Sequence, residues 1–425
     1  MTHGRMSAVG RGEQEPDIEG IKVGAYALRR PLRRRTWRRP ATPHPCPPTA
    51  SRSQGRAERI CDDLRPVRVE LHDDAFGLRS AWSALFADDP EATPFLAPGA
   101  WLRHWVGDAR PWVLTVHDAG TLVGLAPLVL RRRGPLRTLL PLGYHVGNYW
   151  DVLAQPERRQ EVNLAVAREL DRRRGAWDAM ALDTLPRSSL LPSELSRAGL
   201  RVRARGSRPY PGVALPGSFD EYLAGLHRRR RADLRRRLRP LDRGEIELVE
   251  VQDPAALDRV VGAWQELRER WWLARAKELN ADHNRPEFAA FLRRMLRELV
   301  PAGRAVAWEL RRAEQLLGVS LNLRDDRTFY FWLSGFHPDA ARLGPGKVVI
   351  AEGIRRSIAA GLGYFDFMVG AEPYKYDFGA VDRHVPRILV GSGTARSDAT
   401  LAGVLVTERL RADEAVRAHA ARVAL

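Results

Sequence analysis

The residues best placed to do chemistry lie together in one ten-residue stretch, GAEPYKYDFG, Gly370 to Gly379. It follows an apolar run, Tyr364 to Val369, that carries a single carboxylate, Asp366. A strand that opens into a turn bearing Glu372, Tyr374 and Lys375 is where α/β proteins place reacting groups. A carboxylate such as Asp366 or Glu372 can take a proton from an attacking amine or hydroxyl, and a tyrosine such as Tyr374 can return one to a leaving thiolate. Lys375 could orient an acceptor hydroxyl or stabilise a tetrahedral oxyanion. The lysine draws notice because lysine is scarce. Of 69 basic residues only Lys22, Lys277, Lys347 and Lys375 are lysines. An ammonium has a compact charge and a tunable pKa, which a guanidinium lacks. The plainer readings are a strand-end cap for Asp366, a packed ring for Tyr374 and a surface ion pair for Glu372 with Lys375, worth at most about 1 kcal/mol.

A second constellation is ARLGPGK, Ala341 to Lys347. It joins an aromatic strand to a helix. Its glycines permit close backbone approach, and a helix start favours an anion. A pyrophosphate would fit there; the plainer reading is an ordinary strand-to-helix turn. A third is HRRRRADLRRRLRPL, His227 to Leu241. On a helix, Leu223, Leu226, Leu234, Leu238 and Leu241 make an apolar seam, with arginines elsewhere that are solvated or that hold an anionic partner. Histidines show no metal-ligand spacing, and no Gly-x-Ser-x-Gly elbow or Walker loop occurs.

These groups need elements to hold them. From about Pro66 the chain reads as strand (67–71), helix (74–86), hairpin (112–116 and 122–130), strand (149–153), helix (158–174) and strand (179–182). The order returns as hairpin (305–310 and 316–323), strand (329–334), helix (347–360) and strand (364–369). Leu122-Val123-Gly124 is answered by Leu316-Leu317-Gly318. The pattern is an internal duplication of one α/β unit, split by a helical insert over 219–300 that contains Trp264, Trp271 and Trp272. The first-half counterpart of the glycine loop, AQPERRQ (154–160), has no glycine, so the anion site belongs to the second half.

The formal charge is +17 over 425 residues. Residues 1–60 hold twelve Arg and one Lys against five acids, and 226–242 hold eight Arg against two. The rest is nearly neutral, which argues against a broad nucleic-acid face. Residues 1–62, rich in Arg, Pro, Gly and Ser, read as a disordered tail that could touch anionic lipid. Two cysteines, Cys46 and Cys61, form no disulfide framework, and a reducing, cytoplasmic setting follows. No apolar run approaches a membrane span and no signal peptide is expected.

Taken together, the Arg-rich helix, the hairpin WELRRAEQLLGVSLNL (308–323), FYFWLSGFHPD (329–339), LGPG (343–346) and DFMVGAEPYK (366–375) resemble the GNAT acetyltransferase superfamily, and within it the CelD/BcsL-type branch associated with bacterial cellulose and exopolysaccharide synthesis. The two-unit layout is similar to Fem-type aminoacyl transferases. The resemblance implies an α/β fold of tandem GNAT-like units, each a mixed sheet flanked by helices: 63–216, then 217–398 with the acyl-CoA site, then a C-terminal helix over 399–425. It implies acyl-CoA or acetyl-CoA as donor, without a metal, and transfer to an amine or hydroxyl of a sugar or envelope precursor, in the cytoplasm or against the inner membrane face. It maps the pyrophosphate to Arg342, Gly344, Gly346 and Lys347. GNAT loops commonly begin with Arg or Gln where this chain has Ala341, and Pro345 removes one amide donor. The alternatives are a Fem-like ligase using aminoacyl-tRNA and a catalytically dead scaffold for polysaccharide synthesis.

Overall fold

The hairpin signals are realised first and most plainly. In this computed structural model, residues 67–74, 76–98, 109–144, 147–273 and 286–403 are described. The tail over 1–62 and most of the helix expected over 399–425 lie outside them; residues 395–403 are helical. The first half runs β1 (Arg68–His72), α1 (Arg79–Asp88), β2 (Ala109–Asp118), β3 (Thr121–Arg133), β4 (Leu136–Pro141), β5 (Leu153–Ala154), α2 (Arg159–Arg172), β6 (Ala179–Leu182), α3 (Leu191–Arg197) and β7 (Arg201–Ala214). β2 and β3 meet through Ala119 and Gly120, both at positive φ (47° and 86°), the twist that suits a two-residue hairpin turn.

The second half follows through α4 (Phe219–Gly225), α5 (Arg228–Asp242), β8 (Glu247–Val251), α6 (Pro254–Leu273) and α7 (Pro286–Leu299). It continues with β9 (Ala305–Arg312), β10 (Gln315–Arg324), β11 (Thr328–Phe336), α8 (Pro345–Ala359), β12 (Tyr364–Asp366), α9 (Pro373–Tyr376) and β13 (Val381–Gly391). The duplicated pattern is therefore real, and one equivalence can be read in side chains. A Cβ on Gly124 would come within 2.2 Å of Val162 of α2, and one on its counterpart Gly318 within 2.5 Å of Phe336. Both positions are glycine because another group lies flat on the strand there.

All thirteen strands among the described residues join one sheet. Its order is β1-β2-β3-β4-β6-β13-β7-β12-β11-β10-β9-β8, with β5 on β3. Read from either end the order is the same, except at the centre, where the halves trade final strands. β13 pairs with β6 of the first half, and β7 pairs with β12 of the second. β7 and β13 pair with each other over a long antiparallel ladder, from Val381↔Gly212 to Gly391↔Arg201. The parallel pairs are β4 with β6 and β11 with β12. One core cluster holds Trp82, Trp177 and Trp264; a second holds Trp308 and six buried phenylalanines. In the latter, Trp308, Phe329 and Phe365 stack in a row across β9, β11 and β12, with both centroid spacings 5.1 Å.

Four expectations from sequence need correction. The strand expected over 149–153 shrinks to Leu153–Ala154, because Tyr149 sits in the left-handed region at φ 52°, which no ladder accommodates. The strand expected over 364–369 ends at Asp366, because Met368 is left-handed too, at φ 62°. The insert over 219–300 is not purely helical, since Glu247–Val251 forms an edge strand on β9. The helix expected over 74–86 begins at Arg79 after a single 3-10 turn. The leucine seam is split across α4 and α5, with Leu223, Leu226, Leu234 and Leu238 buried and Leu241 partly so. No helix among the described residues is long and apolar enough to cross a membrane.

Candidate active site

The parallel pairing of β11 with β12 lasts three residues: Thr328↔Tyr364, Phe329↔Phe365 and Tyr330↔Asp366. Beyond it the chain follows β7 instead. The Phe367 amide donates to the Pro211 carbonyl (2.9 Å) and the Gly370 amide to that of Pro209 (3.0 Å). β11 continues to Phe336 with no further ladder partner on that side among the described residues. The sheet thus opens into a wedge between the far part of β11 and the segment 367–370, with Asp366 at its apex.

The segment is held in that course by Lys375. Its buried ammonium donates to the carbonyls of Met368 (3.2 Å), Val369 (3.0 Å) and Gly370 (2.9 Å), and pairs with Glu372 at 2.8 Å. An ammonium has three protons, and each has a carbonyl within reach. Burial pushes its pKa down, and Glu372 opposes that shift. Met368 is fixed from the other side as well, since its amide donates to Asp366 Oδ1 at 2.6 Å.

Asp366 is 2% exposed. Its Oδ2 accepts a hydrogen bond of 2.6 Å from the hydroxyl of Tyr149, which comes from the first half. Burial pushes the carboxyl up to about 6; the Tyr149 hydroxyl, the Met368 amide, Arg383 and Lys375 hold it from rising further. The Tyr149 hydroxyl is itself pushed well above its ordinary value by burial, with Asp366 adding to it. It is therefore a fixed neutral donor at neutral pH. Its ring lies against Tyr210 (4.9 Å) and Tyr330 (5.7 Å). Tyr210 donates to Asn148 and Tyr330 to Asp325, and Thr93 donates to the Tyr149 carbonyl. The hydroxyls of Tyr149, Tyr210 and Tyr330 thus each have the proton directed.

Of the other sequence candidates, Glu372 caps α9 and holds Lys375. Tyr374 is 41% exposed and sets its ring against the edge of Phe367, 6.4 Å away. The loop residues gather separately, at the start of α8. Gly344 is its left-handed N-cap (φ 69°), and a Cβ there would strike Arg237, whose guanidinium donates to the Leu343 carbonyl at 2.9 Å. Gly346 lies over Phe336. Lys347 pairs with Asp233 of α5 (3.2 Å) and Asp377 (3.1 Å). Arg229, Arg230, Asp233, Leu234, Lys347 and Asp377 line a small cavity of about 170 Å³. Arg342 is exposed at the end of a 3-10 turn. The candidates therefore fall in two groups: the buried carboxylate of Asp366 with the loop of Glu372, Tyr374 and Lys375, and the helix start of Gly344, Gly346 and Lys347, with Arg342 exposed just before it.

Sequence reasoning missed Tyr149, Tyr210 and Tyr330. Tyr149 and Asp366 are 217 residues apart, and they meet where the exchanged strands join the two halves. The single available signal was aromatic density near a carboxylate. A contrast within the duplication was equally invisible. Asp183, just beyond β6, is held by Arg205 at 2.6 Å, with Arg387 at 3.5 Å and Arg208 at 4.0 Å. The first-half strand end is dominated by cations, the second-half one by tyrosines.

This geometry has relatives. Residues 228–376 match the acetyltransferase (GNAT) domain family, from the first residue of α5 to the last of α9. No curated protein matches the chain significantly. Among solved structures, FemX superposes with a TM-score of 0.53 at 10% identity, covering 73% of this chain and 95% of its own. L-PGS from Bacillus licheniformis gives a TM-score of 0.50 at 13% identity, covering 82% and 99%. At these identities the likeness concerns the fold. Residues 228–376 are thus similar to a GNAT acetyltransferase domain, set in a mixed α/β fold built as two similar halves on one sheet.

Proposed function

We propose that the chain is an acyl-CoA-dependent acyltransferase that moves an acyl group, of acetyl type, to an amine or hydroxyl of a sugar or cell-envelope precursor. The observation that carries the donor half of this reading is the wedge. An extended ligand with amides, such as the pantetheine arm of CoA, can pair with the β11 edge that β12 leaves. The cradle of Lys347, Arg229 and Arg230 at the start of α8 then suits the pyrophosphate, where the helix dipole adds to the charge.

In this reading Asp366 is the general base. With a pKa of about 6 it is mostly ionised at neutral pH, yet basic enough to take a proton from the attacking group. The acceptor nitrogen or oxygen attacks the thioester carbonyl, its proton passes to Asp366, and the tetrahedral intermediate expels the thiolate. Tyr149 positions the carboxylate. Lys375 is a positioning residue that keeps the wedge open, and Glu372 steadies it. Tyr374, exposed beside Phe367, would protonate the leaving thiolate in this reading. The acceptor class rests on the resemblance to the exopolysaccharide-associated branch.

The test is calorimetric titration of CoA. The wild type should bind, and Lys347→Met should bind at least about tenfold more weakly, since a phosphate loses a charge-assisted partner. Lys347 is partly exposed, so the variant should fold. Equal affinities would remove the loop from the donor site. A second reading, an aminoacyl-tRNA donor, is favoured by the exposed arginines of α5 next to the cradle. It requires tRNA binding with a steep salt dependence.

A further inference from the structure

We propose that Glu70, His72 and His117 form a Zn²⁺ site that staples the edge strand β1 to β2. Metal spacing is absent along the sequence because the ligands come from two strands. The antiparallel register sets Glu70 opposite Thr115 and Arg68 opposite His117. Alternation along each strand then puts Glu70, His72, Thr115 and His117 on one face. The ligating atoms of the three lie within 4.8 Å of one another, and His72 Nε2 is 3.8 Å from Glu70 Oε2.

The imidazoles are already aimed at one point. His72 Nε2 and His117 Nε2 both hydrogen-bond Thr115 Oγ1, at 2.9 and 3.0 Å, and Thr115 is fully buried. Tetrahedral Zn²⁺ with bonds of about 2.0–2.1 Å sets its ligand atoms roughly 3.4 Å apart. The cluster needs to close by less than about 1 Å per side chain. Two imidazoles and one carboxylate suit Zn²⁺ and not Mg²⁺ or Ca²⁺, which prefer oxygen ligands. A water completes the shell, with the Thr115 hydroxyl in reach of it. Arg68 contacts the other oxygen of Glu70 at 3.0 Å, and so leaves Oε2 facing the histidines. β1 joins the sheet through β2 alone, so a metal bridging the two would fix the last strand of the sheet.

The experiment is Zn²⁺ titration of the full-length chain against a chromophoric chelator, with thermal melts in Zn²⁺ and in Mg²⁺. The wild type should show a site that the double variant His72→Asn/His117→Asn lacks, and Zn²⁺ but not Mg²⁺ should raise its Tm. The same Zn²⁺ stoichiometry and affinity in both proteins would overturn the proposal and move the metal to other histidines, such as His3 or His44. Absence of Zn²⁺ binding would also overturn it. Should the double variant fail to fold, Glu70→Gln keeps the test alive. It should weaken binding at least about tenfold, and unchanged affinity would mean that no three-ligand site exists.

Discussion

At the scale of single residues, the proposed chemistry turns on Asp366 and Tyr149. Burial raises the Asp366 pKa from 3.8 to about 6, a shift worth about 3 kcal/mol. The sign follows from linkage. The folded chain takes up a proton between those two values, so stability declines as pH rises through that window and is constant above it. The molecule carries this cost at neutral pH, where the buried carboxylate is mostly ionised. The Tyr149 hydrogen bond lowers the carboxyl pKa, so its loss must raise it. We predict that Tyr149→Phe moves the acid limb of kcat/KM from near pH 6 to a higher pH, while Asp366→Asn abolishes turnover without lowering Tm at pH 8. An unmoved limb in Tyr149→Phe would assign that limb to another group. Asp366 was legible in the sequence as the one charge closing an apolar run. Tyr149 was not, because no local pattern connects residues in different halves of a duplicated chain.

At the scale of elements, the segment 367–370 decides whether the site exists. A left-handed methionine is strained by about 1–2 kcal/mol, and it persists because the Asp366 carboxylate and the Lys375 ammonium hold its amide and carbonyl. The scarcity of lysine marked Lys375 as special, and the structure gives a physical reason. A guanidinium is too broad and flat for a cage of three carbonyls that an ammonium fills. Lys375→Met leaves those carbonyls and Glu372 without their partner. Denaturant unfolding should register a loss of about 3 kcal/mol, with turnover falling in the same protein. Wild-type stability together with lost turnover would instead make the ammonium a chemical group. The hairpins, α8 and β6 were readable because hydrophobic period and turn residues fix them locally. The ends of β5 and β12 were not, because a contact between the halves at Tyr149 and the bonds of Asp366 and Lys375 to the Met368 backbone override β propensity there.

At the scale of the whole molecule, the exchange of β7 and β13 turns two similar units into one sheet. The duplication could be read from the recurring hairpin, strand and helix. The exchange could not, since either pairing satisfies the same apolar pattern on β7 and β13. Its consequence is that Asp366 and Tyr149, the proposed base and the tyrosine that positions it, belong to different units and meet in the joined sheet. The second unit keeps the glycine-capped cradle and the wedge, and the first supplies Tyr149, Tyr210 and the cationic surroundings of Asp183. The central claim is that a CoA thioester lies in the wedge beside Asp366. Hydrogen exchange of the backbone amides, read with and without CoA, tests it most directly. The account predicts slowed exchange along 331–335 of β11 and at the start of α8, with the far edge at β1 unchanged. CoA binding that leaves the β11 amides exchanging as before would contradict it.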